Sequence, residues 1–450
     1  VSQSGLVRGL GLWGASAVVV GTIIGSGVFL VANEMTRGMG MPAGVFLVWV
    51  FGGLLSLTGA LAYAELATMM PEAGGEYNYL KEAYGPLWGF LYGWMQFLIG
   101  KPGSLATLGA GFARFLTLFF PALTQNLFSI GDTHIAGDRL VAFGIITVLG
   151  VVNYFGLRAS GPVQTFFTVL KVGMILFLAG AAFSSGAGDW SNFRTAAPAA
   201  GTAMSGLVLA LVAALWAYDG WNNVAMVAGE VENPKRNLPL ALVAGTMVVG
   251  ALYILANVGY FYILPAAQVA ASPRVAADVA AGFLGSSGGQ VVAIAAMISI
   301  IAAINGSILS GSRVPFAMAA DGVFIRKLAE IHPQYASPHV SVIVLCAVAA
   351  LLSLSGTYEQ LFSYVIFASW IFYGLATASV IVLRRTKPNW ERPYRTWGYP
   401  ALPAIFVLVA GWLAVSILIE NPARSLVGLG IIAAGVPAYF FWSRKPRRSM

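Results

Sequence analysis

Long apolar runs return along this chain at intervals that leave room for little else. Twelve of them read as membrane-crossing helices, at 10–33, 43–70, 86–119, 140–156, 162–184, 203–230, 238–263, 289–318, 339–355, 360–383, 400–419 and 425–442. A crossing takes about 20 apolar residues for a ~30 Å hydrocarbon core. Clusters of Pro, Gly and charge separate the runs, as at Pro71–Gly75, Asn233–Pro239 and Arg384–Pro393. Charged residues make up 9% of the chain, against about 25% in soluble proteins, so most of the surface is expected to face a lipid bilayer. The fold class is therefore all-α, one transmembrane body over residues 1–450. A cytosolic enzyme, a disordered regulator and a nucleic-acid partner are excluded, despite the net charge of +8. The first run is too long and too lightly flanked by charge for a cleaved signal peptide. A single cysteine, Cys346, rules out an internal disulfide framework.

Lysine and arginine set the orientation, because they gather in cytoplasmic loops. An even number of crossings puts both termini on one side. That side carries seventeen Lys and Arg, from Arg8 and Lys81 through Arg313 and Arg384 to the Arg444–Arg448 cluster. The other carries five: Arg37, Arg139, Arg194, Arg274 and Arg424. Both termini are expected in the cytoplasm, and the basic balance is topological.

Two runs are interrupted. The first holds Gly21, Gly25, Ser26 and Gly27; the sixth holds Trp216, Ala217, Tyr218, Asp219, Gly220, Asn222 and Asn223. Gly-interrupted helices in corresponding positions of two halves point to a transporter with repeated halves and a binding site at mid-membrane. Each interruption opens a set of five runs, over 10–185 and 203–385, and five is odd, so the second set enters from the opposite side. The repeat is inverted, and 400–443 holds two accessory helices. Helix cannot continue smoothly through Ile24, Gly25, Ser26 and Gly27, and backbone freed at membrane depth is tolerated only where it lines a cavity. The positive end of the half-helix that follows suits a carboxylate. Helix packing through Gly21 and Gly25 is the plain alternative, but it does not call for Gly27. At the second interruption, Ala217, Tyr218 and Asp219 end a half-helix and offer carbonyls to an ammonium. Together the two would hold a zwitterion, the backbone of an amino acid. Asp219 is read either as the ammonium's counter-ion or as a structural cap of the next half-helix, the second being favoured.

Lys171 lies near the middle of its run, with ~13 Å of helix on the cytoplasmic side, too deep to reach water easily. An intramembrane charge of this kind is a functional candidate whose partner must be named. Expected partners are carbonyls of the broken first run and the hydroxyls of Ser307 or Ser310; a proton-carrying role is the competing use. Lys101, beside Gly100 and Pro102, is either a pathway residue or a lysine bonded to carbonyls that Pro102 leaves without a donor. Trp216 and Trp370 are candidate gates, with plain packing as the alternative. His134, His332 and His339 fall in loops, and no metal or cofactor is expected.

These residues resemble the amino acid–polyamine–organocation superfamily, through Gly21 to Phe29, Ala64-Glu65-Leu66, Gly74 to Tyr77 and Tyr84-Gly85. Trp216 to Asn222, followed by Asn233 to Pro239, is similar to the L-type amino acid transporter family. Supporting matches are Lys171 with Val169 and Leu170, Asn305 to Ser307, Gly311 to Arg313 and Glu391 to Pro393, over about Leu10 to Trp442. The resemblance implies a LeuT-type fold of five plus five inverted helices and sodium-independent exchange of neutral L-amino acids. It further implies that Gly25, Ser26 and Gly27 bind the carboxylate, and Ala217, Tyr218 and Asp219 the ammonium. Trp216 takes the place of an aromatic gate, Lys171 sits beside a vacated sodium site, and Asn222 matches a polar position past the break. Animal members join a heavy subunit through a cysteine between the third and fourth helices. Residues 120–139 hold none, so no disulfide-linked heavy subunit is expected and a stand-alone bacterial inner-membrane protein is. An intramembrane Ser26–Lys171 hydrolase, a channel and a proton-coupled symporter using Lys171 are the rivals. The symporter is the serious one, because the same lysine serves both readings.

Overall fold

In a computed structural model the chain is described over residues 5–130, 133–199, 201–355 and 358–443. The basic cluster Arg444, Lys445, Arg447 and Arg448 lies outside the described residues. Among those residues nine helices are long and apolar enough to cross a membrane. The other three expected runs hold shorter pieces. Run 86–119 is split into Pro86–Met95 and Lys101–Leu116 by a π turn at Gln96–Gly100. Run 203–230 keeps Ala203–Ala217 before its interruption, and run 339–355 becomes His339–Ser353.

Local chemistry sets many of these ends. Pro42 and Pro234 sit in the first helical turn, where their missing N–H costs nothing. Gly40 ends Ala32–Met39 at φ 71°, the left-handed cap that glycine adopts freely. Thr202 and Ser205 exchange a reciprocal capping box ahead of Ala203–Ala217. Two helices begin earlier than expected, at Leu157 and Pro234, which leaves Pro162 and Pro239 inside them. Residues 120–139 form a short 3-10 turn and a two-stranded hairpin, Asn126–Ile130 with Thr133–Ala136. His134 is therefore in a strand, and His339 starts a helix.

Contacts between connecting segments sort into two faces. On one face Lys81 pairs with Asp321, Lys235 with Glu391 and Lys387 with Glu82. There too the N–H groups of Gly9 and Leu10 donate to the Glu230 carbonyl. On the other face Arg37 Nε donates to the Ala270 carbonyl and Arg139 to that of Leu354. Not every basic residue in the topological count is a loop charge, however. Arg313 is buried in a two-pronged pair with Glu230, at 2.7 and 3.0 Å, and Arg384 grips buried Glu65 at 2.9 and 2.6 Å. A buried pair of this kind costs about 3–5 kcal/mol when one partner is removed.

Leu12–Ile23 sits at the centre, packed on Pro234–Ile263, Leu157–Ser184 and Gly288–Gly311. In its most apolar window, Leu12–Leu30 is 78% buried inside the protein, against 17% for Ser425–Ser443. The first is enclosed by other helices, while the last is left to lipid. Hydrophobic burial drives little helix association in lipid, so small residues that permit close packing do much of it. Gly38 and Gly206 illustrate this: a Cβ on either would strike the other's backbone.

Candidate functional site

The helix Leu12–Ile23 stops at Ile24, whose ψ of 86° leaves the helical region, and helix resumes at Gly27. The N–H of Gly25 turns back to the Ile23 carbonyl at 2.8 Å, so it is not open to a ligand as expected. The helix Ala203–Ala217 ends differently, since Tyr218 is still in the helical region at φ −85° and ψ −8°. Gly220 takes φ +108°, a conformation that side chains resist, and a four-residue helix restarts at Asn223.

The two interruptions touch. A Cβ on Gly27 would stand 2.8 Å from both Cα and Cβ of Ala217, and one on Gly220 would stand 3.0 Å from the carbonyl carbon of Thr22. Glycine is required at both places by closeness. Thr22 Oγ1 donates to the Gly220 carbonyl at 2.9 Å. The Tyr253 hydroxyl lies 2.9 Å from the Ile23 carbonyl and 2.8 Å from that of Ala217; its single proton serves one of them at a time. Between the interruptions is a cavity with about 400 Å³ of space between atoms, counting what opens to solvent. Gly25, Ser26 and Gly27 wall one side, Trp216, Ala217 and Asp219 another, with Lys101 and Ser307 completing it.

Lys171 stands behind the first interruption, fully buried. Its Nζ donates to the carbonyls of Gly21 at 2.7 Å, Ile24 at 2.6 Å and Ser299 at 3.1 Å. Three ammonium protons meet three acceptors, which offsets the large cost of burying the charge. The expected carbonyl partners are present; the expected hydroxyl partners are not. Ser310 bonds to the Gly306 carbonyl of its own helix, and Ser307 faces the cavity. Ser299 takes their place, and its hydroxyl reaches the Ile24 and Gly25 carbonyls at 2.9 and 3.1 Å. It lies eight residues earlier, about 12 Å along the helix axis, level with the interruption.

Lys101 walls the cavity and donates to Asn223 Oδ1, a side-chain amide rather than the carbonyls near Pro102. Asp219 accepts the Tyr373 hydroxyl at 2.7 Å. It does not cap the next half-helix, where Asn222 occupies the cap position without a side-chain bond.

Four further expected residues are not among those lining the cavity, though for Tyr218 the expectation concerns its carbonyl rather than its side chain. Tyr218 donates its hydroxyl to the Trp49 carbonyl at 3.1 Å and packs its ring on Trp49 and Tyr253. Asn222 is buried and donates to Glu76. Trp370 stacks on Phe406 at 5.6 Å and does not line the cavity. Gly100 closes the π turn, where a Cβ would press on the Gln96 side chain. Tyr253, Ser299 and Tyr373 were not singled out from sequence. Each is one hydroxyl in a long apolar helix, and nothing local marks which way it points. Among the described residues no group of three or more His, Cys, Asp or Glu gathers to hold a metal ion.

The sequence is similar to curated amino acid transporters along nearly its whole length. The serine/threonine exchanger SteT of Bacillus subtilis (strain 168) is 33% identical over 441 residues, covering 97% of each chain. The b(0,+)-type amino acid transporter 1 of Mus musculus is 30% identical, over 98% of this chain and 89% of that one. The cystine/glutamate transporter of Homo sapiens is 31% identical, over 96% and 85%. With the amino acid permease family model matching residues 10–438, this chain belongs to that family of multi-pass membrane transporters.

Proposed function

We propose that this chain is a sodium-independent exchanger of neutral L-amino acids working by alternating access. The observation that carries the reading is the cavity between two touching helix interruptions. One contributes the start of a helix, where backbone N–H groups lack helical acceptors, and the other contributes the end of one, where carbonyls lack helical donors. An α-carboxylate fits at Ser26 and Gly27, since the Gly25 N–H is turned back on Ile23, and an α-ammonium at the carbonyls near Ala217 and Asp219. Trp216 closes over the cavity as a gate, and Lys101 with Asp219 bounds its side-chain end. The Bacillus subtilis relative is named for serine/threonine exchange, which favours small substrates.

The rest of the architecture is part of the same proposal. Twelve crossings form two inverted sets of five, 10–185 and 203–385, with 400–443 as accessory helices. Both termini face the cytoplasm of a bacterial inner membrane, with no heavy subunit. Lys171 acts as a fixed cation where a sodium ion would otherwise sit. All three of its donors are engaged by carbonyls, which supports a permanent ammonium over a proton carrier.

Purified protein in liposomes tests this. Labelled alanine, serine, leucine and arginine are offered to empty vesicles, to vesicles loaded with unlabelled amino acid, and to empty vesicles under an inward proton gradient. The expected result is uptake into loaded vesicles only, without sodium, with serine and alanine ahead of arginine. Accumulation in empty vesicles driven by the proton gradient would replace exchange with symport.

A further inference from the structure

Beside the cavity lies a second polar cluster that the exchange reading does not use. Glu76 opens the helix Glu76–Tyr84 and is fully buried. One of its carboxylate oxygens accepts from Asn222 Nδ2. The other, Oε2, makes no hydrogen bond of good geometry among the described residues, and neither do Asn222 Oδ1 or the hydroxyls of Tyr63, Tyr79 and Tyr92, although the Tyr63 and Tyr92 hydroxyls interact weakly with the carboxylate. The three hydroxyls face the carboxylate from Pro42–Met69, from Pro86–Met95 and from Glu76's own helix. So many orphaned buried oxygens in one place is unusual, since native structures leave only a few per 100 residues.

The charges around the cluster do not balance. Lys101 is the cation facing Glu76, and it also faces Asp219. That leaves one ammonium between two buried carboxylates, with the hydroxyl of Tyr373 bonded to Asp219 and facing Glu76 as well. Other nearby charges are engaged elsewhere: Lys81 and Tyr77 with Asp321, Arg313 with Glu230, Lys387 with Glu82. An ionised carboxylate only accepts, and Asn222, the facing tyrosine hydroxyls and Glu76's own N–H offer it neutral donors but, among the described residues, no ion pair, which is poor compensation for a buried charge. A carboxylic acid removes the charge and turns one carboxyl oxygen into a donor. Burial outweighs the Asn222 bond, the bond from Glu76's own N–H, the Lys101 charge and the Tyr92 hydroxyl, and pushes the Glu76 carboxyl up from its ordinary value.

We propose that Glu76 is a proton-binding site, linked to amino-acid occupancy of the cavity through Asn222, Asn223 and Lys101. The route is short. Glu76 holds Asn222, Asn222 adjoins Asn223, and Asn223 accepts from Lys101, which walls the cavity. The proton comes from water and returns to it, forming and breaking one O–H bond at Oε2. A bound amino acid that changes the pairing of Lys101 changes the charge next to that bond.

The test is infrared difference spectroscopy of the full chain in lipid, following the carbonyl stretch of protonated carboxyl groups. The expected result is a band present at neutral pH, lost in Glu76→Gln and kept in Asp219→Asn. In Glu76→Asp, a check should the glutamine variant fold poorly, the band moves rather than disappears. Adding serine alters the wild-type band and leaves the Glu76→Gln spectrum unchanged in that region. Exchange by the wild type changes severalfold from about pH 5 to about pH 8, and by less than about twofold in Glu76→Gln. A band unaffected by either Glu76 substitution means that Glu76 is ionised, and overturns the proposal. A Glu76 band that serine leaves unaltered overturns the linkage. The spectroscopic arm needs no transport, so its failure is distinguishable from failure of the exchange reading.

Discussion

Two lysines are buried among the helices, and they are held in opposite ways. Lys171 is tied to three backbone carbonyls, two of them at the first helix interruption. Lys101 is tied to one side chain, Asn223, on the wall of the cavity. Backbone carbonyls cannot rotate away from an ammonium, so Lys171 is a strut that holds the interruption open. A side-chain amide can, so Lys101 is free to respond to what occupies the cavity. An intramembrane charge is thus not one kind of feature: its role follows from whether its partners are backbone or side chain.

Substitutions can break or sharpen this contrast. The largest effect is expected from Lys171→Ala, which leaves the buried Gly21 carbonyl without its lysine donor and removes one of the donors to the Ile24 and Ser299 carbonyls, at about 1–3 kcal/mol for an unsatisfied group. Exchange should vanish and the melting temperature should fall clearly. A variant that melts like the wild type would end the view of Lys171 as a strut. Next comes Gly27→Ala, which forces a methyl into Ala217. Overpacking of that sort costs about 1–3 kcal/mol, and exchange should fall at least tenfold with a smaller loss of thermal stability. Lys101→Met should separate the two lysines most sharply. Its melting temperature should stay near that of the wild type while serine binding weakens about tenfold, about 1.4 kcal/mol. If it melts as low as Lys171→Ala, the two lysines do the same job. The smallest effect belongs to Tyr253→Phe, which removes one hydroxyl shared between the two interruptions. A net loss of about 1 kcal/mol is expected, read as a severalfold slower exchange at unchanged expression.

Much of this was legible beforehand. Gly25, Gly27 and Gly220 announced where helices would stop, and at Gly27 and Gly220 close approach leaves no room for a side chain. The depth of Lys171 announced that it would need carbonyls. Its hydroxyl neighbour was misplaced because Ser299, Ser307 and Ser310 share one apolar helix, and sequence alone does not align one helix along the axis of another. Tyr218 and Asn222 show a second limit. They adjoin Ala217 and Asp219 in sequence, yet successive helical or turn residues point in different directions. Tyr218 turns to Trp49, and Asn222 turns to Glu76.

The sequence by itself determined a bundle of apolar helices, the places where two of them stop, and the presence of charges that could not stay unpaired. Each follows from local chemistry: hydropathy over about 20 residues, the freedom of glycine, and the cost of a bare ion away from water. The tertiary structure alone decided which side chains meet. It brought the Gly27 backbone against Ala217, placed Ser299 level with Lys171, and left Glu76 buried among three tyrosines and Asn222. Those outcomes depend on the relative shift and rotation of packed helices, and these are set by close contacts between residues far apart in the chain.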